Sequence, residues 1–133
     1  MPGRKLTKVA IYAAHALPTF NTPEEKRYLK AIQKKWPDCE VLNPNGLYTD
    51  PEGKLPESEV YKKNYKKEVR RCTILTLLEN QGCIPKGEYD EYECARRHKE
   101  RLFVCRGGRF LPVKRVEVRG DGKNWRRYAK VVV

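Results

Sequence analysis

The chain has 133 residues, of which 29 are Lys or Arg and 17 are Asp or Glu, so its formal net charge is +12. This length suits a single domain with its own core, and the excess positive charge favours an anionic partner such as a nucleotide, DNA or RNA over a merely solubilising surface. No stretch is apolar enough for a signal peptide or a membrane span, so the sequence predicts a cytoplasmic protein without a membrane partner.

The first predicted elements are a strand, a helix and a second strand. Residues 8–14 form an apolar run typical of a strand that is buried on both faces. Thr22 then predicts a helix cap, with Pro23 at the first helical position and Glu25 closing a capping box, and the helix should end near Trp36. A second strand is predicted at 39–42, and the polar residues after it favour a turn.

The same alternation continues through the middle of the chain. A helix should open at Ser58, and its apolar stripe comprises Val60, Tyr61, Tyr65 and Val69. It is followed by a strand at 73–78, a helix from about 87 to 99 and a strand at 102–105. This order predicts right-handed crossovers and a Rossmann-like, three-layer α/β domain with a mostly parallel sheet in the strand order 2-1-3-4.

The last quarter of the chain has a different pattern. Residues 110–119 and 125–133 are strand-like and are joined by Gly120-Asp121-Gly122, which predicts an antiparallel β-hairpin. The pair Gly107-Gly108 suggests a boundary before it. The sequence therefore predicts one domain over 1–133, with a βα core at 8–106 and a basic hairpin at 107–133.

A ligand site is expected where the parallel strands end. Ligands of open parallel sheets bind beyond the carboxyl ends of the strands, which here brings 14–20, 43–46 and 79–87 around one crevice. Neither a dinucleotide-binding glycine motif nor a phosphate-binding loop follows a strand. The third helix begins with Glu88, Asp90 and Glu91. Either its first-turn amides and positive end hold an anion or an ionised side chain, or these carboxylates merely complement the helix dipole.

Four short segments within residues 8 to 113 carry a family resemblance. They are Ile11-Tyr12-Ala13-Ala14, Val41-Leu42-Asn43-Pro44, Gly87-x-x-x-Glu91-x-x-x-Ala95 and Leu102-Phe103-Val104. Together they resemble the nucleoside 2-deoxyribosyltransferase-like family. The resemblance implies that Glu91 attacks the anomeric carbon of a deoxynucleoside or deoxynucleotide and that Tyr12 orients its carboxylate.

Under this hypothesis His15, Asn43 and Gly87 are the ligand-binding residues, and no metal or organic cofactor is needed. The resemblance also implies a homodimer. Cleavage of an N-glycosidic bond develops positive charge on the sugar, which an adjacent carboxylate can trap covalently. Water as the acceptor makes the protein a hydrolase, whereas a second base makes it a transferase.

The basic hairpin supports a competing hypothesis, a non-catalytic nucleic-acid-binding protein on the same fold. Cations beside aromatic side chains suit the phosphates and bases of DNA or RNA. The candidate residues are Lys114, Arg115, Arg119, Trp125, Arg126 and Arg127. The alternation fits equally well a plain hairpin whose apolar side packs on the sheet, with Val113 or Val116, Tyr128 and Val131.

The cysteines and histidines give weaker signals. The cysteine count is 5, an odd number that favours free or buried thiols over a disulfide framework. Cys94 and His98 share one helix face, but there is no Cys-x-x-Cys motif, so no metal site is predicted. His15 is either incidental or an acid, base or phosphate donor. The wealth of Lys, Arg and Glu is typical of thermophile proteins.

Overall fold

The computed structural model describes residues 9–119 and 127–133. The predicted turn Gly120-Asp121-Gly122 and the predicted nucleic-acid residues Trp125 and Arg126 lie outside this part of the chain. The described elements are β1 (Ala10–Ala14), a 3-10 turn (Leu17–Thr19), α1 (Pro23–Lys35), β2 (Glu40–Leu42), α2 (Glu57–Arg70), β3 (Ile74–Leu78), β4 (Cys83–Ile84), α3 (Lys86–Arg97), β5 (Arg101–Arg106), β6 (Arg109–Pro112), β7 (Arg115–Val118) and β8 (Ala129–Val132).

The main sheet confirms the predicted topology. Its order is β2-β1-β3-β5-β6, and the first four strands are parallel. Because β5 is the fourth strand of the βα alternation, the predicted order 2-1-3-4 is correct. Every residue of β1 is buried, as expected for a central strand covered on both faces. Tyr12 lies opposite Leu42 of β2 and Leu75 of β3.

Helices cover both faces of the sheet, so the domain has the predicted Rossmann-like α/β architecture. One core cluster joins Tyr12 and Leu77 of the sheet to residues of α2, α3 and β8. The other joins Ile11 and Phe103 to Ile32 of α1. Alternate residues of β1 therefore belong to opposite cores, as the pleat of a strand requires. Within the described ranges, no helix is long and apolar enough to cross a membrane.

The prediction of one continuous strand at 110–119 is wrong, because the segment forms two strands, β6 and β7. The amide of Val113 donates to the Leu102 carbonyl at 3.0 Å, whereas the next amide, Lys114, donates to the Val132 carbonyl at 2.8 Å. The chain therefore changes partners at this point, with β6 pairing with β5 and β7 pairing with β8, both antiparallel. The predicted C-terminal hairpin is present as β7 and β8, and β4 extends it to a second sheet of three strands.

The predicted boundary at Gly107-Gly108 is instead a tight turn. Both glycines have positive φ, 59° and 79°, the conformation that two-residue hairpin turns require. This turn returns the chain directly from β5 to β6, where Cys105 lies opposite Phe110. The first strand of the predicted 107–133 segment is thus part of the main sheet.

The start of α1 differs in one detail from the predicted capping box. The Thr22 hydroxyl accepts a hydrogen bond from the Glu25 amide at 3.2 Å, as an N-cap should. The Glu25 carboxylate does not return to the Thr22 amide, because it accepts from the Asn21 amide at 3.1 Å and binds His15. Glu25 therefore connects the helix to the end of β1.

Candidate active site

A buried carboxylate and three tyrosines meet at the carboxyl edge of the sheet. The Tyr12 hydroxyl, on β1, donates a hydrogen bond to Oε2 of Glu91, on α3. Tyr12 is fully buried, and Glu91 is 3% exposed. The Tyr48 hydroxyl lies 2.8 Å from that of Tyr12 and must be the donor there, because Tyr12 has a single proton and gives it to Glu91. We call Tyr12, Tyr48, Tyr61 and Glu91 the tyrosine–glutamate cluster.

Aromatic rings cover this cluster on the side of α2. The rings of Tyr48 and Tyr61 meet edge-on with centroids 5.1 Å apart, and Tyr61 stacks on Tyr65 at 4.9 Å. The Tyr61 hydroxyl donates to the carbonyl of Gly87 at 3.3 Å. Tyr61 therefore links the predicted ligand-binding residue Gly87 to the neighbourhood of Glu91.

Burial dominates the electrostatics of Glu91. Loss of solvent raises its pKa to about 8, although the hydrogen bond from Tyr12 and the nearby Tyr61 hydroxyl act in the opposite direction. Burial, and then the nearby Glu91 charge, raise the pKa of Tyr12 well above its usual range. Tyr12 is therefore a neutral hydrogen-bond donor, and Glu91 changes its charge near neutral pH.

A second carboxyl lies one helical turn before Glu91. Glu88 is 2% exposed, and its Oε2 accepts a hydrogen bond from the Leu78 amide at 3.2 Å. Its Oε1 is buried and has no hydrogen-bond partner among the described residues. Burial raises the pKa of Glu88 well above its usual value, and the charges of Glu91 and Glu79 raise it further.

The burial of Glu88 and Glu91 bears on the interpretation that the acidic residues at the start of α3 merely complement the helix dipole. Asp90 is half-buried and pairs with Lys86 at 3.0 Å, as a surface residue near the start of a helix does. Glu88 and Glu91 face the core instead. They therefore do more than complement the helix dipole.

A cleft of about 550 Å³ opens where β1 and β3 end, and Glu88 is part of its wall. We call it the strand-end cleft. Its other walls come from the start of α1 and from the segment after β3, and among the residues that line it are Thr19, Thr22, Arg27, Asn80, Cys83 and Pro85. Its size suits a small ligand such as a base or a nucleoside. Two of the three segments predicted to form the crevice, 14–20 and 79–87, line this cleft, whereas 43–46 and Glu91 do not.

His15 and Asn43 belong to a separate polar cluster. Nδ1 of His15 lies 2.7 Å from the Ala13 carbonyl, and Nε2 lies 2.7 Å from Glu25 Oε2. The Asn45 amide group donates to both Glu25 oxygens at 3.1 Å, and the Asn45 backbone amide donates to Asn43 Oδ1 at 3.0 Å. His15 is 5% exposed, so both of its ring nitrogens are already engaged inside the protein.

Ionisation of Glu25 completes this second cluster. Burial by itself would raise the pKa of Glu25, but the hydrogen bonds from His15, the Asn21 amide and Asn45 together hold it below its usual range. The carboxylate is therefore charged and holds three segments of chain together. These are the end of β1, the start of α1 and the loop after β2.

The basic residues of the hairpin are at the surface. Lys114, Arg115, Arg119 and Arg127 are all exposed. Arg115 pairs with Glu117 at 2.8 Å, and Arg127 donates to the Gln81 side chain. The opposite side packs on the core, where Val131 is 3% exposed and the ring of Tyr128 lies 5.6 Å from that of Tyr89. This packing confirms the predicted apolar side of the hairpin.

The thiols are free, and the described residues offer no metal centre. None of the five cysteines is in a disulfide. Cys94 and His98 line a groove between α2 and α3. Across 9–119 and 127–133, no group of three or more His, Cys, Asp or Glu side chains could hold a metal ion.

Fold and geometry define an α/β domain that carries a buried carboxyl pair and tyrosine donors at the carboxyl edge of its sheet. No protein-family model and no curated protein matches the chain.

Sequence reasoning missed three residues of this site. Tyr61 was expected to be part of the apolar stripe of α2, and its hydroxyl gave no separate signal. Tyr48 lies in an irregular loop that has no periodicity. Glu88 was expected near the helix start, but nothing in its local sequence indicated that its carboxyl would be buried.

Proposed function

We propose that the chain binds a nucleoside or nucleotide at the carboxyl edge of its sheet and cleaves or transfers its N-glycosidic bond through Glu91. The observation that carries the proposal is the hydrogen bond from Tyr12 to Glu91 inside the core. A buried carboxyl is costly to desolvate, and such perturbed groups cluster at functional sites. The resemblance to the nucleoside 2-deoxyribosyltransferase-like family supports the same assignment.

In the proposed reaction, a Glu91 oxygen bonds to the anomeric carbon as the bond from that carbon to the base breaks. Tyr12 holds Oε2 and thereby orients the carboxylate. Water or a second base then takes the sugar from Glu91, which gives a hydrolase or a transferase. Glu91 is 3% exposed, so entry of the sugar requires Tyr48 and Tyr61 to move aside.

The first test measures release of free base from a panel of deoxynucleosides and their 5′-monophosphates. We expect Glu91→Gln to lower release by about 10³-fold or more, because an amide cannot form the covalent intermediate. Glu93→Gln, at a half-buried residue of the same helix that pairs with Arg96, is the matched control and should keep its activity. Absence of release across the panel, with and without an acceptor base, would show that the proposal is wrong.

Location and assembly are part of the same proposal. The five free thiols suit a reducing compartment such as the cytoplasm. The family resemblance also implies a homodimer. Light scattering of the purified chain tests that assembly independently of activity.

A second candidate function is binding of DNA or RNA. It is favoured by the exposed cations of the hairpin and by a basic run along α2, where Lys62, Lys63, Lys66 and Lys67 are exposed. Such a surface contacts phosphates without needing Glu91. Binding that depends on salt and survives Glu91→Gln would favour this second function.

A further inference from the structure

We infer that Glu88 is the general acid that protonates the leaving base and that the strand-end cleft holds that base, an inference that rests on the proposed function of Glu91. Glu88 is 2% exposed and forms part of the wall of the cleft. Its Oε1 is buried and has no hydrogen-bond partner among the described residues. A buried polar atom without a partner is unfavourable, and a nitrogen of a bound base would supply the missing hydrogen bond.

The hydrogen bond to Leu78 indicates which oxygen carries the proton. Oε2 accepts from the Leu78 amide at 3.2 Å, so a proton on the carboxyl resides on Oε1. Oε1 is therefore the donor that remains once Oε2 is engaged by the Leu78 amide. This geometry gives Glu88 a defined direction of proton transfer.

The groups around Glu88 favour its protonated form. Glu91 lies on the same helix, and Glu79, whose carboxylate is paired with Arg106, follows β3. Tyr28 contributes a neutral phenol from α1, and Glu24 and Arg27 of α1 also line the cleft. Burial and the two glutamate charges outweigh the Leu78 amide, so the pKa of Glu88 lies well above its usual value.

The spacing of the two carboxyls suits the chemistry. Residues three apart on a helix have Cβ atoms about 5–6 Å apart. Retaining glycosidases hold their nucleophile and acid at about 5–5.5 Å. Glu88 and Glu91 stand three residues apart on α3 and their charges interact, so the two carboxyls are neighbours, with Glu88 on the side of the cleft.

The proposed reaction transfers the sugar first to Glu91 and then to water. A Glu91 oxygen bonds to the anomeric carbon while the bond from that carbon to the base nitrogen breaks. The electron pair of the broken bond stays on the base, which takes the proton from Glu88 Oε1. Water then attacks the anomeric carbon and gives a proton to Glu88, and Glu91 leaves. The net reaction is nucleoside plus water to free base plus sugar.

The test measures the activity of the full chain on two substrates that differ in whether the leaving group needs a proton. The leaving base of a deoxynucleoside needs a proton, whereas a nitrophenyl deoxyriboside releases nitrophenolate, a stable anion that needs none. We expect Glu88→Gln to lower base release by about 10²–10⁴-fold and nitrophenol release by less than about tenfold. The alkaline limb of the pH–rate profile for base release should disappear in the same variant.

Three outcomes separate this inference from the proposed function. Loss of both activities in Glu91→Gln, together with the selective loss in Glu88→Gln, supports both. Loss of both activities to the same extent in Glu88→Gln, or of neither, overturns only the role of Glu88. Full activity of Glu91→Gln on either substrate overturns the proposed function itself.

A binding experiment keeps the inference testable if Glu88→Gln fails to fold. Free adenine or cytosine is titrated into the wild-type chain, and the backbone amide signals are followed by NMR. We expect shifts at Thr19, Asn80 and Cys83, which line the cleft. Saturating base without shifts at these residues would show that the cleft does not hold the base.

Discussion

At the scale of single residues, the main feature of this protein is a set of buried carboxyl groups with raised pKa values. Glu88, Glu91 and Glu100 are each at most 9% exposed, and burial raises the pKa of all three. Glu88 and Glu91 lie at the carboxyl edge of the sheet, where ligands bind. Glu100 lies at the opposite edge, just before β5, and both of its oxygens are buried without a partner among the described residues.

The buried carboxyl of Glu100 predicts a pH dependence of stability. Its pKa is raised to about 8, so the folded chain keeps this proton between pH 5 and 8 while the unfolded chain releases it. The unfolded state then binds fewer protons, and the free energy of unfolding falls as the pH rises through this window.

We expect Glu100→Gln to reduce this fall, with a difference between variant and wild type on the order of 1 kcal/mol. Urea unfolding at pH 5 and pH 8 measures the effect. The exposed Glu52→Gln is the matched control and should behave as wild type. An equal fall in wild type and Glu100→Gln would contradict the prediction.

At the scale of elements, α1 ties the polar cluster around His15 to the sheet. The Tyr28 hydroxyl donates to the Ala14 carbonyl at 3.0 Å, so the Thr76 hydroxyl 2.6 Å away must donate to Tyr28. One turn earlier, Glu25 binds His15. The position of α1 therefore determines the geometry of the residues that follow β1.

The N-cap of α1 provides the test at this scale. Thr22→Ala removes the acceptor of the Glu25 amide, and we expect a loss of about 0.5–2 kcal/mol in the free energy of unfolding. Chemical denaturation measures the loss. Thr22→Ser keeps the hydroxyl and should recover most of it. No difference between the alanine and serine variants would argue that the cap contributes nothing.

For the whole molecule, the net charge of +12 predicts a positively charged surface that attracts anionic polymers such as DNA and RNA. The exposed hairpin cations and those of α1 lie on opposite faces of the main sheet, because β8 and α1 belong to opposite cores. This arrangement permits a control with the same change of charge on the other face.

We expect the triple variant Lys114→Ala, Arg119→Ala, Arg127→Ala to bind single-stranded DNA or RNA more weakly than wild type. Each lost phosphate contact should reduce the slope of log K against log salt by about 0.7. Fluorescence anisotropy at several salt concentrations gives this slope. The control is Lys26→Ala, Lys30→Ala, Lys34→Ala. Equal slopes in the two triple variants would show that the hairpin is not the binding surface.

The main features of the fold were predictable because they depend on local patterns. Apolar runs and amphipathic stripes report burial residue by residue, and they sufficed for the order of strands and helices and for the parallel sheet. The interval 110–119 was beyond such reasoning. It reads as one strand locally, yet consecutive amides at Val113 and Lys114 pair with different strands, and no local pattern encodes a change of partner.

For the site, the sequence by itself determined only the candidates Tyr12 and Glu91, which stand in the short motifs that resemble the nucleoside 2-deoxyribosyltransferase-like family. Only the tertiary structure decided what surrounds them. Tyr48 meets Tyr12 across a separation of 36 residues, and Glu91 meets Tyr12 across 79. Burial of Glu88 likewise depends on how α3 packs against β3, where the Leu78 amide donates to its carboxyl. The surroundings of these side chains arise from contacts between segments far apart in the chain, and local propensity and periodicity carry no information about such contacts.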